Sequence, residues 1–93
     1  LRRPADVIMD GNDYLYIADN ENNRILRVWS NGFQCLVGCS CQRGSGSDQL
    51  SKPLAVRFDS HGNLYVADEF NQRIQKFALL SQCGQVTVVP GPN

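Results

Sequence analysis

The sequence is short of histidine, methionine and tryptophan, with one of each, and it carries no net charge. Zinc sites need several histidine or cysteine ligands, so the lone His61 cannot form a histidine metal site. Nine basic and nine acidic side chains argue against a generally basic, nucleic-acid-binding surface, without excluding a local patch of arginines. No apolar run approaches the roughly 20 residues of a membrane span, and no Asn-x-Ser/Thr acceptor for an N-linked glycan occurs. These absences give no sign of a cofactor.

Cysteine, by contrast, is abundant, and the four residues are Cys35, Cys39, Cys41 and Cys83. A dense, even set in a small domain favours disulfide bonds and hence an extracellular or secreted protein. The Cys-x-x-x-Cys-x-Cys spacing from Cys35 to Cys41 differs from the paired Cys-x-x-Cys of zinc knuckles, which makes zinc the weaker alternative. A bond between Cys39 and Cys41 is disfavoured, because one intervening residue strains the disulfide geometry. The other pairings, including a partner for Cys83 outside this chain, stay open.

An internal repeat dominates the rest of the sequence. When the chain is shifted by 49 residues, residues 1–29 align with residues 50–78 without a gap. The identical pairs are Leu1/Leu50, Pro4/Pro53, Val7/Val56, Asp10/Asp59, Leu15/Leu64, Tyr16/Tyr65, Ala18/Ala67, Asp19/Asp68, Asn22/Asn71, Arg24/Arg73 and Ile25/Ile74. A period of this length is typical of propeller blades. We therefore divide the chain into a first repeat at residues 1–38, a Gly-, Ser- and Cys-rich loop at residues 39–49, and a second repeat at residues 50–93.

Each repeat predicts four short antiparallel strands joined by tight turns, which is the construction of a propeller blade. Turns rich in Gly, Asn, Asp and Ser at residues 11–13 and 60–63 separate the first two strands of each repeat. We predict first strands at residues 5–10 and 54–59, and a third strand of the second repeat at residues 73–78. The predicted fold class is all-β, with two four-stranded blades and no helix longer than a turn.

The second repeat resembles the NHL repeat over Leu50–Phe77. The resemblance rests on the pattern Leu-x-x-Pro-x-x-Val-x-x-Asp, then Gly-Asn-Leu-Tyr-Val-Ala-Asp, then Asn-x-Arg-Ile-x-Lys-Phe. The first repeat carries the same pattern, but it has Asp13-Tyr14 where Gly-Asn is usual. The resemblance implies a closed β-propeller, commonly of six blades, of which this chain supplies two. It implies little about function, because propellers host unrelated activities.

Polar residues recur at the same places in both repeats, and we interpret them as architectural. They are Asp10, Asp19, Asn22 and Arg24 in the first repeat and Asp59, Asp68, Asn71 and Arg73 in the second. A carboxylate after the second strand can accept backbone N–H groups and pair with the arginine that follows. The functional alternatives are a charged ring that binds a ligand and, for the carboxylates that end the first strands, a metal in the channel. Recurrence in both repeats favours architecture, since a catalytic site rarely needs identical blades.

Phe70 is a candidate contact residue, because it is a large apolar side chain in a polar loop where the first repeat has Glu21. Most of the other aromatic residues lie within predicted strands and are assigned to packing between blades. Phe70 either contacts a partner at one face of the propeller or folds back on its own blade, and the sequence leaves both alternatives open.

The sequence favours a non-catalytic NHL-type scaffold that mediates extracellular protein interaction or assembly, with no cofactor, nucleic acid or membrane as partner. Two blades leave a sheet face at each end, and we expect residues such as Val7, Ile17, Val56 and Val66 to be exposed there although they are suited to burial. The chain is then a fragment or repeating unit whose ends meet further blades of the same chain or copies of it. Residues 1–93 alone should aggregate or stay partly unfolded.

Two other functions are kept as alternatives. One is a piece of a six-bladed enzyme or ligand-binding propeller, which needs histidines that converge from other blades. The other is an intracellular NHL module that binds RNA or protein, and RNA binding needs a continuous basic face with salt-dependent affinity.

Thiol counting under denaturing, non-reducing conditions tests the assignment of the cysteines. We expect fewer than four free thiols, because the loop at residues 39–49 can bring Cys39 or Cys41 to a partner. Prior reduction should restore all four. Four free thiols without reductant would contradict the disulfide assignment and favour a metal-binding or cytosolic protein.

Overall fold

In a computed structural model, which describes residues 3–39, 44, 49–82 and 85–90, the chain forms two four-stranded antiparallel sheets. Strand order in each sheet follows the chain, β1-β2-β3-β4 and β5-β6-β7-β8. The first sheet, blade 1, consists of β1 (Pro4–Met9), β2 (Leu15–Asp19), β3 (Arg24–Trp29) and β4 (Gly32–Val37). The second, blade 2, consists of β5 (Pro53–Phe58), β6 (Leu64–Asp68), β7 (Arg73–Gln82) and β8 (Gln85–Pro90). Single 3₁₀ turns at Asn20–Asn22 and Glu69–Asn71 follow β2 and β6.

The predicted all-β class and the two four-stranded blades are confirmed. The first strands begin and end one residue earlier than predicted, because Pro4 and Pro53 already pair with the aspartates that end the next strands. The third strand of blade 2 runs four residues further than predicted, to Gln82, since its pairing with β8 continues out to Gln85. Among the described residues, no helix is long and apolar enough to cross a membrane.

The turn between the first two strands is the same in both blades although its residues differ. Asp13 (φ 68°) and Gly62 (φ 81°) occupy equivalent positions with left-handed backbone. Aspartate tolerates this conformation better than most residues with a side chain. The Asp10 N–H donates to the Tyr14 carbonyl at 3.0 Å, as the Asp59 N–H does to the Asn63 carbonyl. The departure of the first repeat from Gly-Asn therefore leaves the turn unchanged.

The core lies between the two blades, where the back of blade 1 packs on the front of blade 2. The back of blade 1 is the face with the cross-strand rows Asp6–Ala18–Ile25–Val37 and Ile8–Tyr16–Arg27–Gln34. The front of blade 2 is the face with the rows Val56–Val66–Gln75 and Phe58–Leu64–Phe77. Side chains of both faces, together with Leu50 from the segment that leads into blade 2, form one buried cluster. We call this contact the joint.

The expectation that Val7, Ile17, Val56 and Val66 all lie on uncovered faces is wrong for two of them, Val56 and Val66. Val56 and Val66 are fully buried at the joint, because they belong to the front of blade 2. Ile17 belongs to the front of blade 1, where no other blade packs, but it is only 8% exposed. Val7 is 53% exposed, as expected. The equivalent residues Val7 and Val56 thus differ in burial, since only the front of blade 2 has a neighbouring blade.

Replacement of Phe77 by alanine should lower the free energy of unfolding by about 3–5 kcal/mol, because it deletes a fully buried aromatic side chain and leaves a cavity. Urea denaturation at low protein concentration measures this. The matched control is Phe70→Ala, which truncates a phenylalanine that is 59% exposed and should change stability by less than about 0.5 kcal/mol. Equal effects of the two substitutions would show that the joint is not the core.

Candidate functional site

Blade 1 ends its second strand on a fully buried carboxylate, Asp19, which organises the turn that follows. The Asp19 Oδ2 accepts hydrogen bonds from Asn22 Nδ2 at 2.9 Å and from Arg24 Nε at 2.8 Å. The arginine side chain is itself mostly covered, with 20% of its surface exposed. The strand and the turn hold the Asp19–Arg24 ion pair in one geometry. These three side chains therefore stabilise the end of the second strand of the blade.

Blade 2 repeats this arrangement around Asp68 and extends it to the preceding segment. Asn71 Nδ2 and Arg73 Nε each donate to the Asp68 Oδ2 at 2.8 Å. The Asp68 Oδ1 accepts the Ser51 N–H at 2.7 Å, and Arg73 Nη2 donates to the Gln49 carbonyl at 2.8 Å. The motif therefore fastens the chain that enters blade 2 to the end of its second strand.

Asp10 closes the first turn of blade 1. Its Oδ1 accepts the N–H groups of Asn12 at 2.8 Å and Tyr14 at 3.1 Å, and its Oδ2 accepts the Tyr16 hydroxyl at 3.1 Å. A carboxylate that accepts backbone N–H groups two and four residues ahead is a turn-closing residue.

Asp59 has the same role in blade 2, where its environment is richer in donors. It accepts the N–H groups of His61 and Asn63, each at 2.9 Å, and the Asn63 side-chain amide and Tyr65 hydroxyl, each at 3.1 Å. The Asn63 donors, aided by the His61 N–H and the Tyr65 hydroxyl, hold the pKa of the Asp59 carboxyl far below its usual range, although burial acts in the opposite direction. Across the described ranges, no three or more His, Cys, Asp or Glu side chains are arranged to hold a metal.

Two asparagines of blade 1 fix the first strand of blade 2, and the sequence analysis missed both. Asn20 Nδ2 donates to the Pro53 carbonyl at 3.1 Å, and the Asn23 Oδ1 accepts the Lys52 N–H at 3.0 Å. Both asparagines are buried at the joint. The repeat comparison could not single them out, because their equivalents in blade 2 are glutamate and glutamine.

Asp6 is a third inter-blade contact that the sequence analysis missed. One carboxylate oxygen accepts the Val7 N–H of its own strand at 3.0 Å, and the other accepts the Val56 N–H of blade 2 at 3.0 Å. Arg57 of blade 2 also donates to the second oxygen. Burial raises the pKa of the Asp6 carboxyl, but the bonds from Val56 and Arg57 outweigh it, so the pKa is lowered. The equivalent residue of blade 2 is Ala55, which makes this contact specific to blade 1.

Arg27 is a buried cation on the joint side of blade 1, with 7% of its surface exposed. Its guanidinium carbon lies 3.7 Å from the centre of the Tyr14 ring and 5.4 Å from that of Trp29. Its Nε donates to the Tyr16 hydroxyl at 3.3 Å, and Tyr16 packs edge-on against Phe58 of blade 2. Burial is the main cause that raises the pKa of Tyr16. Arg27 is therefore part of the core and is unavailable to a basic surface patch.

A disulfide joins Cys35 of β4 to Cys39 just beyond the end of that strand. This agrees with the expectation that Cys39 or Cys41 takes part in a bond; Cys41 and Cys83 lie outside the described residues. Gly38, inside the small loop, has φ 74°, and a Cβ there would lie 2.1 Å from the Asn23 carbonyl oxygen. Only glycine lets the backbone at position 38 come this close to the Asn23 carbonyl. The Cys35–Cys39 disulfide closes the loop that contains Gly38.

Phe70 is 59% exposed beside a cleft of about 460 Å³ at one edge of the joint. The other lining residues are Arg3, Pro4, Ala5, Asn20, Lys52, Leu54 and Glu69. Charges of both signs surround the cleft, and Arg3 is paired with Glu21 at 3.8 Å. Phe70 is exposed and therefore remains a candidate contact residue. Because the cleft has both positive and negative side chains, its charge does not favour a cationic or an anionic ligand.

The front of blade 1 is an apolar face on which no other blade of the described residues packs, although Ile17 and Leu26 at its centre are buried. Its two complete rows are Val7–Ile17–Leu26–Cys35 and Met9–Leu15–Val28–Phe33. Val7, Met9 and Phe33 are 53%, 58% and 64% exposed. A groove of about 320 Å³ runs along this face beside Phe33.

The back of blade 2 is the other uncovered face, and it is more polar. Its rows across β5, β6 and β7 are Ala55–Ala67–Ile74 and Arg57–Tyr65–Lys76. Ile74 is 67% exposed in the first row.

A comparison with known families decides the classification of these blades. The model of the NHL repeat matches residues 50–77, which is β5 to the middle of β7 with the preceding segment. The chain belongs to the NHL-repeat family. This confirms the resemblance seen in the sequence, and the structure is consistent with two NHL propeller blades.

Relatives with the same family name extend the likeness into the first repeat. Over 77 residues, which is 80% of this chain, the sequence is 34% identical to human NHL repeat-containing protein 3. It is 32% identical over the same length to the mouse protein of that name. The chain spans 22% of the length of each of these relatives. The two NHL blades are therefore compared with about a fifth of each relative.

Replacement of Asp59 by asparagine should make the free energy of unfolding of the NHL blades fall less steeply as the pH is lowered from 5 to 2. The folded Asp59 has a lowered pKa, while the unfolded carboxyl titrates near its ordinary value of 3.8. Its contribution to stability is therefore fully present above pH about 4 and is lost progressively as the pH falls below that value. Urea midpoints between pH 5 and pH 2, taken at intervals of about half a unit, measure the slope.

The matched control for this prediction is Asp13→Asn, a change of the same chemistry in the equivalent turn of blade 1. Asp13 is exposed and its side chain makes no hydrogen bond within the described residues, so the acid limb should keep its slope. An unchanged slope in Asp59→Asn would contradict the assigned role.

Proposed function

We propose that this chain is a section of a non-catalytic NHL-repeat scaffold that mediates extracellular protein interaction or assembly. The observation that carries the proposal is the front of blade 1, an apolar sheet face with two complete rows of side chains against which no blade of the described residues packs. The equivalent face of blade 2 is covered by a neighbouring blade, so this type of face functions as a protein-binding surface within the same chain.

The exposed side chains of the front supply the driving force for binding. Val7, Met9 and Phe33 are each more than half exposed on one continuous face. Full burial of one such side chain is worth about 1.5–3 kcal/mol. Soluble proteins rarely leave a large contiguous apolar patch uncovered unless it contacts a partner. A protein surface of matching shape is therefore the occupant that this face favours.

The polar residues support a scaffold more than an enzyme or an RNA-binding module. The recurring Asp, Asn and Arg side chains are engaged in turns and strand ends, where they fix the blades. RNA binding needs a continuous basic face. Among the described arginines, Arg3, Arg24, Arg57 and Arg73 pair with carboxylates and Arg27 is buried against aromatic rings. Such pairing leaves little uncompensated positive charge for a phosphate backbone.

The cysteines support the extracellular part of the proposal. The Cys35–Cys39 bond joins residues of the described chain, and disulfides persist mainly in oxidising compartments such as the secretory pathway. A reducing compartment would open this loop next to Gly38 and the joint.

Photo-crosslinking from the front of blade 1 tests the proposed function. Phe33 is replaced by p-benzoylphenylalanine in the protein with its natural flanking sequence, secreted from cultured cells and irradiated before purification. We expect adducts with a second polypeptide, because the benzophenone then lies on the buried side of an interface. The readout is the adduct mass on a reducing gel and the crosslinked peptides by mass spectrometry.

The matched control places the same residue at Asn12, in the exposed turn at the end of the first strand. It should give at most a small fraction of the adduct formed from position 33. Crosslinks only within one polypeptide, or equal yields from both positions, would contradict a role of this face in binding another protein.

A further inference from the structure

A cavity of about 390 Å³ lies at the edge of the joint, where the first turns of the two blades come together. Both blades contribute to its walls, and the lining residues are Met9, Asp10, Gly11, Tyr16, Phe58, Gly62 and Leu79. Ligand pockets in proteins have volumes of about 300–1,000 Å³. The cavity is therefore large enough to take one side chain of a partner protein.

The Asp10 carboxylate in this cavity has one acceptor position that no donor of the described residues fills. A carboxylate offers about four such positions, two on each oxygen. Oδ1 accepts the N–H groups of Asn12 and Tyr14, whereas Oδ2 accepts only the Tyr16 hydroxyl. One position on Oδ2 therefore remains, and a positively charged donor makes the strongest hydrogen bond to such an oxygen.

The equivalent carboxylate of blade 2 has all four positions filled. Asp59 Oδ1 accepts the N–H groups of His61 and Asn63. Its Oδ2 accepts the side-chain amide of Asn63 and the Tyr65 hydroxyl. Blade 1 has Tyr14 at the place of Asn63, so it lacks the side-chain amide that completes the set in blade 2. A donor from another molecule can take the place of this amide.

The charges around the first turns favour a cation over an anion. The turns at residues 10–13 and 59–63 contain no lysine or arginine, and their carboxylates are those of Asp10, Asp13 and Asp59. The nearest guanidiniums have other partners, because Arg27 donates to the Tyr16 hydroxyl and Arg57 donates to Asp6. The negative charges therefore outnumber the one buried guanidinium at this edge, and charge complementarity favours a basic partner.

The rest of the cavity suits an aliphatic stem. The rings of Tyr16 and Phe58 pack edge-on with centres 4.9 Å apart, and Leu79 packs against the same cluster. At Gly11 and Gly62 an added Cβ would meet no atom within 4 Å outside its chain neighbours, so the mouth is open.

The single open position on Asp10 Oδ2 favours lysine over arginine. Lysine carries its charge as a compact ammonium on a flexible four-carbon stem. Arginine binds carboxylates best through two parallel hydrogen bonds, which need an acceptor position on each oxygen. Both positions of the Asp10 Oδ1 are already taken by backbone N–H groups.

We propose that this cavity binds a lysine side chain of a partner protein, with the ammonium on Asp10 Oδ2 and the stem against Tyr16, Phe58 and Leu79. This rests on the proposed function, since it names a residue that the protein partner supplies. Position 33, from which the proposed function is tested, does not line the cavity, so the two can fail separately.

Nuclear magnetic resonance of glycine amides measures binding in the protein with its natural flanking sequence. The protein is labelled with ¹⁵N-glycine, and carbonyl labelling of Asp10 and His61 identifies the signals of Gly11 and Gly62, which line the cavity. The probe is Nα-acetyl-lysine N-methylamide at neutral pH. Its matched control is the norleucine analogue, which has the same stem without the ammonium. We expect saturable shifts of both signals with the lysine probe and a dissociation constant at least about fivefold higher for norleucine, which cannot make the charged hydrogen bond.

Variants assign the effect to the carboxylate and to the cavity. Asp10→Asn should raise the dissociation constant of the lysine probe at least about fivefold. Gly11→Phe, read from the Gly62 signal, should do the same without altering the carboxylate, because its ring covers the mouth; Gly11→Ala leaves the mouth open and should bind like the parent. Asp13→Asn removes the same charge from the same turn outside the cavity lining, and it should change binding by less than about threefold.

Equal dissociation constants for the lysine and norleucine probes would overturn the proposal, as would unchanged binding in Gly11→Phe. Unchanged binding in Asp10→Asn would do so as well, and if that variant loses its turn, the decision rests on Gly11→Phe. The proposed function is judged separately, by crosslinking from position 33. Adducts from position 33 without a preference for lysine would leave the scaffold function standing and remove the lysine site. A preference for lysine without adducts would do the reverse.

Discussion

Each four-stranded sheet of this chain has side chains suited to burial on both faces, and contact with one neighbour can cover only one of them. This constraint places the core between the blades instead of within either blade. It also explains the positions of the polar residues. Asp19 and Asp68 fix the ends of the second strands, while Asp6, Asn20 and Asn23 fix one sheet against the next. The polar framework is what allows two apolar faces to meet in one register.

The blades themselves could be predicted from the sequence, because the information is local and repeated. An ungapped match between residues 1–29 and 50–78 identifies the repeat, and turn residues at equal places divide it into strands. Pairing decides the details. The first strands start at proline, which local propensity disfavours, because Pro4 and Pro53 sit opposite the ends of the second strands. The Asp–Asn–Arg sets were predictable as recurring polar residues, although the full burial of Asp19 and Asp68 was not.

The inter-blade contacts could not be predicted from the sequence, and the reason is physical. A comparison of repeats finds what the repeats share, whereas Asp6, Asn20 and Asn23 act between repeats and are replaced by Ala55, Glu69 and Gln72. The burial of individual side chains could not be predicted from the sequence either. Val7 and Val56 have the same side chain in the same pattern, and they differ only in whether a blade lies against them. The identity of a neighbour is a property of the fold and not of the local sequence.

The Asp6 carboxylate, which serves strands of both blades at once, has a consequence for how such arrays change over generations. Newly duplicated repeats are interchangeable, and unequal recombination can add, remove or reorder them without harm. Once one repeat carries a side chain that its neighbour's backbone depends on, reordering removes a hydrogen bond from a specific place. A copy of blade 2 in the position of blade 1 would bring Ala55 to that place and would leave the Val56 N–H without its carboxylate. The joint therefore depends on the order of the two repeats, because only the first repeat supplies this carboxylate.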